Sequence, residues 1–294
     1  MKTTPSPHSR ARSWCRIAPF LLVMVQGLGC MSRAARPDAP ESRHAPLVRV
    51  EYGEPANPSH REIFAEMRDR HVLERFAELL EAIQLPKPLT LAFASCDGVS
   101  NAWYDPDTGT VTFCYEFLAD IRRAAATHDL GKVPAQDAMD GPIAFVLLHE
   151  TGHAVFDLLK VPILGREEDA ADTFATFFLL RLGHDVALRM LRGAAWNYAQ
   201  EARLAKPEES DFADVHGLNA QRYYNIMCLA YGSDPQFFGA VVTGGYLPAD
   251  RAEGCSDEYQ QALFAMQKLV APAISPTAVE RLRVKHGRRW EQGL

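Results

Sequence analysis

The sequence predicts an α+β fold in one domain, mostly helical, with a small antiparallel sheet beside one helix. Three observations point there. Apolar residues recur at helical spacing through several long stretches. A strand-like run, Leu89 to Ser95, precedes two short β-prone segments that flank the turn sequence Asp105-Pro106-Asp107-Thr108-Gly109. The apolar run Phe145 to Phe156 contains His149-Glu150-Thr151-Gly152-His153, a spacing that brings both imidazoles to one face only on a helix.

Length and composition allow such a domain. The chain has 294 residues, of which 47% are hydrophobic, enough for a core. A net charge of −6, with basic residues clustered only at the two termini, excludes a nucleic-acid binder. No internal repeat or heptad array is present. Residues 1–29 read as a targeting segment. Lys2, Arg10, Arg12 and Arg16 give a basic start, and the apolar stretch Ile17 to Leu28 is too short for a comfortable membrane span. Gly27-Leu28-Gly29-Cys30 resembles a bacterial lipobox in which Cys30 becomes the lipidated first residue, although the leucine stands one place later than usual. Cleavage near Ala34-Ala35 and an uncleaved anchor are the alternatives. Export to the envelope or periplasm, or outright secretion, is expected in each case. Without residues 1–29 the chain has 27 basic and 37 acidic residues, a net charge of −10. Four cysteines then remain besides Cys30. Cys96–Cys114 and Cys228–Cys255 are the sequence-local pairs expected in an oxidising compartment. A zinc site built from the four is the alternative, without a C-x-x-C spacing to support it.

In chain order, residues 30–58 are rich in Pro, Ala, Arg and Ser and read as a flexible tether to a domain spanning 59–294. Ser59-His60-Arg61-Glu62 has the form of a capping box. Ile63, Phe64, Met67, Leu73, Phe76, Leu79, Leu80 and Ile83 then predict one helix, stopped by Pro86 and Pro88. Leu89 to Ser95 is a strand, and Asn101–Tyr104 with Thr110–Phe113 form a hairpin. A helix over 116–126 and a polar loop over 128–138 follow. Asp140-Gly141-Pro142 supplies a cap and an early proline for the histidine-bearing helix, which Pro162 and Gly165 end. A second helix runs from Arg166 to Leu180 with Glu167, Glu168 and Asp169 in its first turn, where acids also suit the helix dipole. Further helices are expected at 184–204, interrupted by Gly193, and at 216–231, 235–242 and 256–270. The stretch Arg281 to Arg289 is basic and solvated.

The pattern H-E-x-x-H points to a metal. His149 and His153 present ring nitrogens to one ion, and Glu150, one residue round, stands where a base can take a proton from zinc-bound water. A hydrolytic zinc needs a third protein ligand and one open position. The three acids at 167–169 are where to seek that ligand, and Glu168 and Asp172, four apart, share a helix face. In this respect the chain resembles the gluzincin branch of zinc peptidases. That resemblance makes Glu168 the third ligand and Asp172 the second-shell acceptor that fixes an imidazole tautomer. Asp169 is the runner-up ligand or a further supporting acid, and Glu167 is a plain N-terminal acid.

The longer blocks His149–His153, Leu164-Gly-Arg-Glu-Glu-Asp-Ala-Ala-Asp172, Gln221-Arg-Tyr-Tyr-Asn225 with Cys228, and Tyr231-Gly-Ser-Asp-Pro235 resemble the DUF4344 family of exported bacterial metallopeptidases over about residues 60 to 270. The resemblance implies a zincin-like fold, a zinc cofactor (Zn2+) and a peptide or protein substrate. No membrane contact is implied beyond a lipid at Cys30. Glu150 is then the general base. His216, Tyr223 and Tyr224 are candidates to hold the oxyanion, with Tyr223 the one expected to be catalytic. Asn101 and Trp103 are candidates to line a cleft in which the hairpin pairs with substrate backbone. The rival reading is an envelope lipoprotein, sensor or scaffold, that holds zinc without cleaving anything.

Overall fold

A 25-residue helix, α4 (Ala135–Leu159), forms the axis of the structure, a computed structural model describing residues 47–204 and 206–286. These residues fall in one unit, Ala45–Leu294. The targeting segment, Cys30 and the tether up to residue 46 lie outside the described residues.

The α+β class holds, with a predominantly helical chain and one four-stranded sheet. Its strands are β1 (Val48–Tyr52), β2 (Leu89–Ala94), β3 (Ala102–Asp105) and β4 (Thr110–Cys114), in the order β1-β2-β4-β3. The expected hairpin is present, with β3 antiparallel to β4 and Trp103 opposite Thr112. The rest of the sheet is parallel: β1 on β2 and β2 on β4. The sheet is therefore mixed rather than antiparallel. The reason is a strand in the segment expected to be a tether. Val48-Arg-Val-Glu-Tyr52 alternates apolar and polar residues, and two helices, α1 (Arg61–Asp69) and α2 (Val72–Leu80), carry the chain back parallel to it.

Those two helices replace the single one expected over 59–83. His71 takes left-handed backbone angles (φ 52°) and turns the chain between them. The Tyr52 hydroxyl accepts the Leu73 N–H at 3.0 Å and donates to Glu74 at 2.7 Å, tying the start of α2 to β1. Asn57, rather than Ser59, makes the cap, its Oδ1 accepting the Ser59 N–H at 3.0 Å.

After β4 come α3 (Tyr115–Thr127) and α4, then α5 (Glu167–Arg181), α6 (His184–Leu204), α7 (Glu209–Ala213) and α8 (Asn219–Ser233). The short α9 (Ala240–Thr243) and α10 (Ala249–Ala252) precede α11 (Cys255–Leu269) and α12 (Pro276–His286). Helix α4 begins at Ala135, about one and a half turns before the expected cap at Asp140, and runs through Pro142. Tertiary contacts override the proline. Asp137, 3% exposed, accepts Arg189 Nε at 3.1 Å and pairs with Arg192. Gly193 does not interrupt α6 but allows it to cross α4, since a Cβ there would stand 1.8 Å from the Asp137 carbonyl oxygen. Phe145, Phe174 and Phe177 are fully buried where α4 and α5 join the core, as are Phe93, Phe113 and Tyr115 beneath the sheet.

Both sequence-local cysteine pairs are disulfides. Cys96–Cys114 joins the end of β2 to the end of β4, and Cys228–Cys255 joins α8 to α11. Among the described residues no helix is long and apolar enough to cross a membrane.

Candidate metal centre

The two site helices bring His149, His153 and Glu168 together. His149 and His153 sit one turn apart on α4, with Nε2 atoms 3.2 Å from each other. The Glu168 Oε2 atom, from the first turn of α5, stands 3.0 Å from His149 Nε2 and 3.4 Å from His153 Nε2. Gly152 permits this approach: a Cβ there would meet the Phe174 ring at 3.2 Å and the Ala171 Cα at 3.3 Å.

The other ring nitrogens are already committed. His149 Nδ1 faces Asp172 Oδ1 at 2.8 Å, and His153 Nδ1 faces Glu167 Oε1 at 2.8 Å. An ionised carboxylate only accepts, so each Nδ1 carries the proton and each Nε2 of a neutral ring offers a lone pair. Two such lone pairs and one carboxylate oxygen then point at each other. That arrangement repels unless a positive charge sits among them. The separations match a cation's requirement: the edges of a zinc tetrahedron with bonds of about 2.0–2.1 Å measure about 3.3 Å. The donor chemistry, two imidazoles and one carboxylate, is also what zinc takes.

Without an ion, protons on the imidazoles hold the cluster together. Burial pushes the His149 imidazole down, but its hydrogen bonds to Asp172 and Glu168 outweigh this and hold it above its ordinary value. His153 behaves likewise and rises to about 9. Burial pushes the Glu168 carboxyl up, yet hydrogen bonds from His149, His153 and His216 hold it far below the carboxylate range. Glu150, 8% exposed, is raised chiefly by its own burial, against the lowering effect of the two histidines.

Asp172 does more than fix the His149 tautomer. Arg222, from α8, donates Nε and Nη2 to its two oxygens, each at 2.7 Å, and the guanidinium lies over the Tyr198 ring, 4.4 Å from the centroid. Sequence reading passed over Arg222 in favour of its neighbours Tyr223 and Tyr224. One signal was available: Arg222, Ile226 and Leu229 share a helical stripe with an otherwise apolar face.

Several expected roles move. Tyr223 does not line the cleft, and its hydroxyl donates to the Tyr246 carbonyl at 3.1 Å. It sits about 100° round α8 from Arg222, which takes the site-facing position. Tyr224 is exposed and borders a separate groove with Asp169, Arg166 and Gln221. Asp169 lies one residue round α5 from Glu168 and so turns away from the histidines. Glu167, expected to complement the helix dipole from the first turn of α5, also stands 2.8 Å from His153 Nδ1. His216 reaches the cluster, with Nε2 3.0 Å from Glu168 Oε2 and Nδ1 2.9 Å from Asp214 Oδ1.

The cluster opens into a cleft of about 590 Å³. One wall is β3, an edge strand of the described sheet, with Trp103, Tyr104 and the preceding Asn101 on the lining. The Tyr104 backbone N–H is directed at the Glu150 carboxylate, and the Tyr104 hydroxyl donates to Asp157 Oδ2 at 2.9 Å. The opposite wall is the α6 face carrying Ala194, Asn197, Tyr198 and Glu201.

A family model described as "Putative metallopeptidase" (DUF4344) matches residues 52–269, which include all of the centre and both disulfides. No curated protein and no solved structure matches the chain significantly.

Proposed function

The chain belongs to this metallopeptidase family, and on that premise we propose that it is a zinc-dependent peptidase. His149, His153 and Glu168 would hold the ion, Asp172 and Glu167 would orient the two imidazoles, and Glu150 would be the general base. The single observation that carries the reading is the convergence of His149 Nε2, His153 Nε2 and Glu168 Oε2 within 3.4 Å of one another, beside a cleft that also exposes Glu150.

A zinc ion supplies a polarised water near neutral pH and pulls electrons from a carbonyl oxygen. The remaining work belongs to the chain. Glu150, held by its burial above the ordinary carboxyl range, takes the proton from the attacking water. The water oxygen bonds to the carbonyl carbon, the C–N bond breaks, and Glu150 returns the proton to the departing amine. The outward groups of β3 suit a substrate laid alongside as one more strand, with Trp103 at its margin. Two disulfides fit an exported protein, and export, with or without a lipid at Cys30, is part of the proposal.

Glu150→Gln tests the reading. The variant is expected to retain one zinc per chain while cleavage of casein falls by about 10²–10⁴-fold, the range for a lost general base. Full cleavage by the zinc-loaded variant would falsify the assignment. Zinc binding by the parent without cleavage of any peptide would favour the holding-only alternative.

A further inference from the structure

Three imidazole nitrogens, rather than two, surround Glu168 Oε2, with His153 Nε2 at 3.4 Å. His216 Nε2 stands 3.0 Å from Glu168 Oε2, the same separation as His149 Nε2 from that oxygen. Donor atoms of His149, Glu168 and His216 all lie within 4.8 Å of one another. Asp214 accepts both the His216 backbone N–H at 2.8 Å and its Nδ1 at 2.9 Å, so the ring presents its Nε2 lone pair to the cluster. The His216 and His149 rings lie nearly parallel, 25° apart, with centroids 6.3 Å from each other.

The mounting of His216 differs from that of the helical donors. It belongs to the segment between α6 and α8. There α7 buries no residue, and Phe212 and Val215 are each 64% exposed. Beyond the local bond to Asp214, its backbone is held among the described residues by one long contact, Arg166 Nη1 to the His216 carbonyl at 3.4 Å. A donor so mounted can leave without unpacking the core.

We propose that His216 is a fourth protein ligand to the metal, closing the coordination sphere at rest, and that substrate must displace it. This rests on the metallopeptidase reading and adds a resting, self-inhibited state to it. The three imidazoles and one carboxylate would make a complete four-coordinate set for the ion. Swinging His216 aside restores the open position that hydrolysis needs.

X-ray absorption on the zinc-loaded full-length protein counts the imidazoles directly. Three are expected in the parent and two in His216→Ala. In chelator competition the variant should lose more than about 100-fold in zinc affinity, beyond the 10–100-fold typical of a lost outer partner, and Asp214→Asn about 10-fold. Acetohydroxamate, titrated against the cobalt-substituted protein by visible absorption, should bind His216→Ala about 100-fold more tightly, the same factor by which zinc affinity falls, if the closed form holds about 99% of parent molecules. Two imidazoles in the parent, with unchanged zinc affinity in His216→Ala, overturn the proposal and leave His216 as a hydrogen-bond donor to substrate. Failure of the underlying metal site reads differently: His149→Ala would then bind zinc as tightly as the parent.

Discussion

His149 and His216 face the same carboxylate oxygen at the same 3.0 Å, yet they are built into opposite kinds of structure. The His149 side chain is 4% exposed, in the middle of α4, and its orienting Asp172 is gripped in turn by Arg222. The His216 side chain is 45% exposed, and its orienting Asp214 more so. Each imidazole has one carboxylate behind it and one in front. What differs is the free energy of moving it: displacing His149 requires opening a packed core, while displacing His216 requires bending a surface segment. A centre made this way has a fixed half that sets geometry and a yielding half that can regulate access.

The largest expected effect breaks the fixed half. Asp172→Asn leaves the Arg222 guanidinium, only 13% exposed, without its counter-charge. Removing one partner of a buried pair costs about 3–5 kcal/mol, and the lower end applies because asparagine still accepts one hydrogen bond. Zinc affinity should also fall about 10–100-fold as His149 loses its tautomer lock. Thermal melts of the metal-free protein check the first effect, and chelator competition checks the second. Asp214→Asn is the mirror experiment. It should weaken zinc without shifting the metal-free melt, because nothing buried depends on Asp214. Equal melting shifts in the two variants would erase the distinction between the halves.

A middle-sized effect comes from the crossing that supports α4. Gly193→Ala places a methyl group where the Asp137 carbonyl already stands, so α4 and α6 must separate. Overpacking of this kind costs about 1–3 kcal/mol. Urea unfolding should show a lower midpoint with an unchanged slope. A midpoint equal to the parent's would mean that the two helices have slack where the structure shows none.

The same contrast marks what was legible from residues alone. The fixed half was largely readable, because H-E-x-x-H and E-x-x-x-D express helical periodicity and both disulfides are sequence-local. Features set by distant partners were not. Strand β1 hides in a proline-rich stretch, and its partner β2 lies some forty residues on. Helix α4 starts early because Arg189 and Arg192 hold Asp137, which outweighs the local signal of Asp140-Gly141-Pro142. Arg222 and Tyr223 are adjacent in sequence, and only the rotation of α8 against α5 decides which one enters the site. His216 stood behind Tyr223 among the candidates, since the sequence puts it at the start of a helix over 216–231, whereas α8 begins only at Asn219 and leaves it in a loop without periodicity.

The smallest expected effect tests the yielding half on its own terms. Phe212 is a large apolar residue on α7, and in a sequence it would be assigned to a core. In the structure it is 64% exposed on a helix that buries nothing. Phe212→Ser therefore removes little buried area, and substitutions at such surface positions change stability by less than about 0.5 kcal/mol. The variant should melt with the parent and bind acetohydroxamate in the cobalt form as the parent does, because Phe212 is not among the residues that line the cleft. A stability loss above about 1 kcal/mol would show that the segment is packed onto the body in solution, and the His216 side of the centre would then be as fixed as the His149 side.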